Sequence, residues 1–235
     1  MEKPSLVPLE EIYKIPLFQG VLQKDLTRLV QAAHRKRLSA GEFFFMQEDP
    51  AERMYVLLKG RVKLGQIGPD GQQVLIRVIT PVTLFALVAM TTGHNYLVTA
   101  QAAEDSQALY WTRRELMDYV LQVPQMAVNA MSIMAEQLQE IQERFRQVTT
   151  ERVERRLAHM LIRLAARSGK KVDQGILIDL RLTRQDLAEM SGTTLYSASR
   201  MLSQWEKQEL VIAGRERIII RNPHGLARLL EVGEE

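Results

Sequence analysis

Apolar positions change their period twice along the chain. Between residues 9 and 34, Leu9, Ile12, Ile15, Leu17, Leu22, Leu26, Leu29 and Val30 recur at roughly helical spacing around Pro16, which predicts a short helical cap. From Gly41 the pattern turns to short runs: Phe43-Phe44-Phe45, Tyr55-Val56-Leu57-Leu58, Val62-Lys63-Leu64, Val74-Leu75-Ile76 and Val78-Ile79, with turn residues between them. Gly68-Pro69-Asp70-Gly71 reads as a hairpin turn, because Pro fixes φ and Gly accepts positive φ. Further strands are expected at 96–103 and 107–111. Many short strands without interleaved helices predict an antiparallel sandwich or jelly roll.

After Pro124 the period becomes helical again. Ala127, Met131, Met134, Leu138, Ile141, Phe145 and Val148 follow an alternating four-three spacing for three heptads, the a/d seam of a coiled coil. Flanking polar residues such as Glu136, Gln137, Gln139, Glu140, Gln142 and Glu143 cannot all be buried, so the stripe predicts a dimer helix rather than a helix laid on its own sheet. Thr149 and Thr150 are expected to cap a new helix carrying Val153, Leu157, Met160, Leu161 and Leu164, which Ser168-Gly169 ends. The boundaries that follow are 1–123 for the jelly roll, 124–149 for the dimerisation helix and 150–235 for a second domain.

Residues 182–208 carry the most specific pattern. Thr183 is placed to cap a first helix, with Asp186 three residues later as a first-turn acid suited to the helix dipole. Leu187, Ala188 and Met190 are expected to face inwards. Gly192 supplies the turn, where unusual φ is needed. In the second helix Ala198, Met201, Leu202 and Trp205 form a buried stripe, leaving Tyr196, Ser197, Ser199, Arg200 and Gln204 outward as ligands suited to base edges and phosphates. Leu210-Val211-Ile212, Ala213-Gly214-Arg215-Glu216 and Arg217-Ile218-Ile219-Ile220 then read as strand, turn, strand, which makes a winged helix-turn-helix. The fold class is α+β.

Charge sharpens this picture. The formal net charge is +3, but Glu151–Arg221 carries 14 Lys/Arg against 9 Asp/Glu, so the positive field belongs to the candidate DNA reader. The absence of cysteine excludes disulfides, thiolate zinc sites, thiol redox switching and cysteine-ligated iron–sulfur clusters. No basic-then-apolar leader and no apolar run near the ~18 residues of a membrane span is present, which predicts a cytoplasmic protein. An enzyme would need a metal cluster or a nucleophile and base together, and neither is visible. A kinase-type regulatory subunit would lack a reader such as 182–221.

The chain resembles the CRP/FNR superfamily of bacterial regulators over nearly its whole length. The stretches that carry the likeness are Ile15-Pro16-Leu17-Phe18, Gly41, Gln47-Glu48-Asp49-Pro50, the run Tyr55 to Leu64, Asp70-Gly71 and Thr99-Ala100. The resemblance implies a homodimer on a near-palindromic double-stranded operator, with RNA polymerase as a partner. It implies DNA contacts from Thr183, Arg184, Thr193, Thr194, Tyr196, Ser197, Ser199, Arg200 and Gln204 and from the wing residues Arg215 and Arg217. Arg200 matches a base-reading arginine of the family. Tyr196 replaces its frequent Glu, and Leu195 the Arg often before it, so site preference is expected to depart from the usual half-site.

Cyclic-nucleotide members hold phosphate and ribose with a Gly-Glu and an Arg-Ser pair, where this chain has Ala86-Leu87 and Tyr96-Leu97. Burying a phosphate without a cation is costly, so a cyclic nucleotide is disfavoured and an apolar or planar effector is expected, or none. Leu87, His94, Tyr96, Leu97, Met131 and Met134 are the candidate effector-pocket residues. The region resembles haem-binding, nitric-oxide-responsive Dnr-type regulators, which makes His94 the candidate haem ligand, with Met90, Met131 or Met134 as a second. His34, beside Arg35-Lys36-Arg37, is expected to be solvated, and the four histidines form no metal cluster.

Overall fold

A computed structural model describes residues 9–68, 73–91 and 93–231, which include twelve strands and eight α-helices among those residues. The chain divides into two compact units, residues 1–66 with 77–140 and residues 67–76 with 141–235.

The first unit begins with α1 (Leu9–Tyr13), a 3-10 turn (Pro16–Phe18) and α2 (Gln23–Gln31). The expected cap is thus broken where Pro16, which has no N–H to donate, starts the 3-10 turn. Eight strands follow along the chain: β1 (His34–Leu38), β2 (Phe43–Phe45), β3 (Arg53–Lys59), β4 (Val62–Ile67), β5 (Gln73–Ile79, its first four residues in the segment assigned to the second unit), β6 (Thr83–Phe85), β7 (Thr99–Ala102) and β8 (Ser106–Thr112). They form two four-stranded sheets, β1-β8-β3-β6 and β2-β7-β4-β5, and the pairs whose register is defined are antiparallel, as a jelly roll requires. The apolar runs at 74–76 and 78–79 are one strand, and the strand expected at 96–103 is confined to β7. The turn expected at 68–71 lies outside the described residues apart from Gly68.

Strand β3 explains why residues 54–57 lack clean alternation. Met54 and Val56 pack with Ile12, Phe18, Leu26, Leu29, Trp111 and Leu116 on the helical side. Tyr55 and Leu57 pack with Phe44, Phe45, Phe85 and Tyr96 between the sheets. Both faces are dry, so the strand reads as a continuous apolar run. Trp111 is wholly buried and donates its indole N–H to the Leu29 carbonyl at 2.8 Å, which ties β8 to α2. At the β3–β4 turn Gly60 has φ 94°, and a Cβ there would lie 2.7 Å from the Asp105 carbonyl oxygen, so conformation and space both exclude a side chain.

Strand β1 is not visible in the hydrophobic pattern, because His-Arg-Lys-Arg lies on the edge of its sheet, where one side of the ladder is open. His34 is exposed, as expected, and is also held: its ring stacks on Tyr110 at 5.0 Å and its Nε2 lies 2.8 Å from Glu115. Glu115 also completes a capping box with Thr112 at the start of α3 (Arg113–Gln122). Partial burial raises the Glu115 carboxyl pKa, but the Thr112 hydrogen bonds and His34 outweigh that and hold it below its usual value.

Helix α4 (Gln125–Thr150) carries two different apolar stripes. Met126 and Ala130, with Ile133, join the core of the first unit, and Asn129 donates to the carbonyls of Leu17 and Gln19 at 2.9 and 2.8 Å. The heptad positions lie on another face. Thr149 and Thr150 do not cap the next helix, because α4 continues through them; Thr149 returns its hydroxyl to the Phe145 carbonyl at 3.0 Å. Helix α5 (Val153–Ser168) starts instead from Arg152 and ends, as expected, at Gly169.

The second unit adds β9 (Gly169–Val172), β10 (Gly175–Ile178), α6 (Arg184–Ser191), α7 (Leu195–Lys207), β11 (Val211–Gly214), β12 (Arg217–Ile220) and α8 (Pro223–Glu231). Its sheet order is β11-β12-β10-β9. Neither the β9–β10 hairpin nor α8 is anticipated by the pattern, since Gly-Lys-Lys-Val is too short and polar to read as a strand. Among the described residues no helix is long and apolar enough to cross a membrane.

The phenol of Tyr55 gives a pH signature. Its burial between the sheets pushes its pKa up from 10 to about 12, so the fold favours the neutral form. Stability is complete below pH 10, where folded and unfolded phenols are both protonated, and falls as pH rises from 10 towards 12. Denaturant midpoints measured between pH 9 and 12 should show this decline, and Tyr55→Phe should flatten it.

Candidate nucleic-acid interface

The helix-turn-helix is assembled by local capping and two long side chains. Thr183 accepts from the Asp186 N–H at 3.1 Å, while Asp186 accepts from the Thr183 N–H at 2.9 Å, a reciprocal capping box that starts α6. Gly192 ends α6 in the left-handed conformation at φ 63°, and its amide returns to the Ala188 and Glu189 carbonyls. Arg156, reaching from α5, donates to the carbonyls of Ser191 at 3.1 Å and Gly192 at 2.9 Å. Helix ends leave carbonyls without intrahelical partners, and this guanidinium supplies a charged donor at the bend.

Helix α7 is seated by Ala198, Met201, Leu202 and Trp205, all buried. Trp205 is wholly buried and directs its N–H to Glu154 of α5 at 3.2 Å. Glu206 links three elements: from α7 it accepts the Ala213 N–H of β11 at 2.9 Å and approaches Arg184 of α6 at 3.8 Å. Arg184 also lies 3.4 Å from the Ser199 carbonyl. The helix is therefore fixed to its neighbours by apolar packing and by bonds from both ends of the motif.

Most of the predicted contact residues lie on or beside the outward face. Thr194, Tyr196, Arg200, Gln204, Arg215 and Arg217 are exposed; Thr183, Thr193, Ser197 and Ser199 are partly so. Tyr196, Arg200 and Gln204 stand at i, i+4 and i+8, one continuous stripe along α7. Arg184 differs, being half-buried with its guanidinium turned towards Ser199 and Glu206. Met190, expected inside, is only half-buried, because it lies on the last turn of an eight-residue helix. Arg156 and Glu206 are not among the residues that the sequence pattern marks. Neither has a local signature for this role, since the contacts that hold the motif reach 35 and 36 residues along the chain for Arg156 and 7 for the Glu206 bond to Ala213.

The candidate effector residues are not gathered into one place. Leu87 belongs to the core beneath the helices, next to Ala86, whose φ of 64° begins a 3-10 turn (Leu87–Met90). Tyr96 belongs to the inter-sheet core, stacked on Phe45 at 3.7 Å. Its hydroxyl donates to the Arg53 carbonyl at 2.8 Å and accepts from the Arg53 N–H at 3.0 Å. His94, Leu97, Met131 and Met134 are exposed. Among the described residues no three His, Cys, Asp or Glu side chains group as a metal site.

A buried three-helix core with a capped, glycine-turned helix pair and a two-stranded wing defines a winged helix-turn-helix DNA-binding protein. Comparison with known proteins agrees: residues 35–122 match a cyclic nucleotide-binding domain and residues 155–229 a Crp-like helix-turn-helix domain. The chain is similar to a CRP-like cAMP-activated global transcriptional regulator of Mycobacterium tuberculosis, 20% identical over 93% of this chain and 98% of that one. It is also similar to the anaerobic regulatory protein of Bacillus subtilis, 26% identical over 83% of each. In fold it resembles FixK2 from Bradyrhizobium japonicum, with a TM-score of 0.74, 23% identity and coverage of 84% and 97%. The chain belongs to the CRP/FNR family of DNA-binding transcription regulators.

The cap of α6 makes a direct test of the motif. Thr183→Ala removes one half of the capping box, and a loss of about 1 kcal/mol in unfolding free energy is expected. Urea denaturation measures it. Thr183→Asp, which preserves an accepting oxygen, should recover most of the loss.

Proposed function

We propose that the protein acts as a homodimer that binds a near-palindromic operator, with one α7 entering the major groove of each half-site. The observation that carries this is the uncovered heptad stripe of α4. Met131, Met134, Leu138, Ile141 and Phe145 are between 47% and 71% exposed although all are large and apolar. Burying such a side chain stabilises by about 1.5–3 kcal/mol, and a second copy of the same stripe is the partner that a four-three spacing fits. Ala127 is half-buried at the start of the same stripe; the Val148 side chain lies outside the described residues.

In this reading Arg200 pairs with a guanine, Gln204 and Ser199 flank it, and Thr183, Thr193, Thr194, Ser197, Arg215 and Arg217 hold the backbone. Arg184, through Ser199 and Glu206, holds the recognition helix at its angle and approaches phosphate from there. RNA polymerase is the further partner, and the cytoplasm the compartment.

The regulator's gate uses an effector other than a cyclic nucleotide, or no effector. Ala86-Leu87 and Tyr96-Leu97 offer no charge for a cyclic phosphate. The constitutive form is favoured by Tyr96, whose ring on Phe45 and two bonds to Arg53 fill the inter-sheet space with protein. Haem through His94 is the other form, although His94, Met131 and Met134 are each exposed and do not enclose a ligand within one chain.

Two measurements separate these readings. Ile141→Asp sets like charges across the seam, so sedimentation should give a dimer for the wild type and a monomer for the variant. Affinity for a palindrome should fall at least about tenfold, as the half-sites one helical turn apart are no longer bound together. A monomeric wild type at micromolar concentration contradicts the proposal. A haem titration followed by absorption decides the gate: a Soret shift lost in His94→Ala supports haem sensing, and an unchanged spectrum supports the constitutive form.

A further inference from the structure

The first turn of α7 presents apolar side chains to solvent where a DNA reader usually offers polar ones. Leu195 is 48% and Tyr196 75% exposed, and neither joins the stripe that seats the helix. The polar residues around them are already engaged. Thr194 Oγ1 accepts from the Ser197 N–H at 3.2 Å and lies 3.1 Å from the Ser197 hydroxyl, so both hydroxyls serve the helix cap. Beside those hydroxyls, the surface that the turn offers to a base edge is the Leu195 isobutyl group and the Tyr196 ring.

Their surroundings identify the occupant. Arg200 lies one turn further along the same face, and Arg215 and Arg217 stand exposed on the wing. An exposed arginine on this face of the helix, with two more on the wing, fits a polyanion and not an apolar protein surface. Among the groups on major-groove base edges, the thymine C5-methyl is the one apolar feature. We infer that Leu195 and Tyr196 read thymine methyl groups in the operator half-site.

The inference rests on α7 being the recognition helix and adds the chemistry that its first turn selects. Tyr196 and Arg200 are about 6 Å apart along the helix axis, four residues at 1.5 Å each. That equals about two base-pair steps of 3.4 Å. The half-site therefore places one or more thymines within about two to three base pairs of the guanine paired with Arg200. Arg or Glu at 195 or 196 would demand guanine or cytosine instead.

The test starts from DNA selected from a random pool by the full-length protein. Each thymine of the selected half-site is then replaced by deoxyuridine, which removes the methyl and leaves base pairing intact. Fluorescence anisotropy should show about a fourfold weaker complex for each methyl that is read, as expected for one buried carbon group. The double variant Leu195→Ser with Tyr196→Ser should bind thymine and uracil duplexes equally, whereas Tyr196→Phe should keep the discrimination, because the ring and not the hydroxyl makes the contact. Equal wild-type affinity for both duplexes, or a selected half-site with no thymine near the guanine, overturns the inference and leaves the recognition helix standing. Failure to select any sequence overturns the recognition reading as well.

Discussion

Helix α4 must desolvate two stripes, and one chain covers only the first. Met126, Ala130 and Ile133 are buried against the jelly roll, and Asn129 fixes that register through the Leu17 and Gln19 carbonyls. The spacing that puts those residues on one face leaves Met131, Leu138 and Phe145 on another. A helix cannot rotate to hide both, because turning the seam inward would expose the first stripe and break the Asn129 bonds. The open seam is therefore a consequence of the jelly roll's own packing.

The reading head is held by a small number of bonds aimed at backbone. Arg156 and the αL residue Gly192 hold the bend between α6 and α7, Glu206 fixes α7 to the wing strand, and Trp205 anchors it to α5. This leaves the outward face of α7 free of structural duties except at Thr194 and Ser197, which cap the helix. Division of labour within one helix is what allows Leu195, Tyr196, Arg200 and Gln204 to vary in chemistry without loss of the fold.

The same economy applies in the jelly roll. Leu87 and Tyr96 are core residues on opposite sides of one sheet. Tyr96 spends its hydroxyl on the Arg53 backbone and its ring on Phe45, and both interactions stabilise the fold directly.

The sequence alone determined the features whose causes are local. The alternating runs of β2, β4 and β8, the Thr183 capping box, Gly192 at a positive φ and the four-three spacing of α4 each depend on residues within a turn or two, so the pattern carried them. It also marked the outward stripe of α7, because helical periodicity separates Tyr196, Arg200 and Gln204 from Ala198, Met201 and Trp205. Only the tertiary structure decided the rest. The charged strand β1 and the short β9–β10 hairpin exist because neighbouring strands supply their hydrogen bonds, which polar side chains do not advertise. Arg156, Glu206 and the dispersal of Leu87, Tyr96, His94 and Met131 depend on contacts between residues distant in the chain, and no spacing along a sequence encodes those distances.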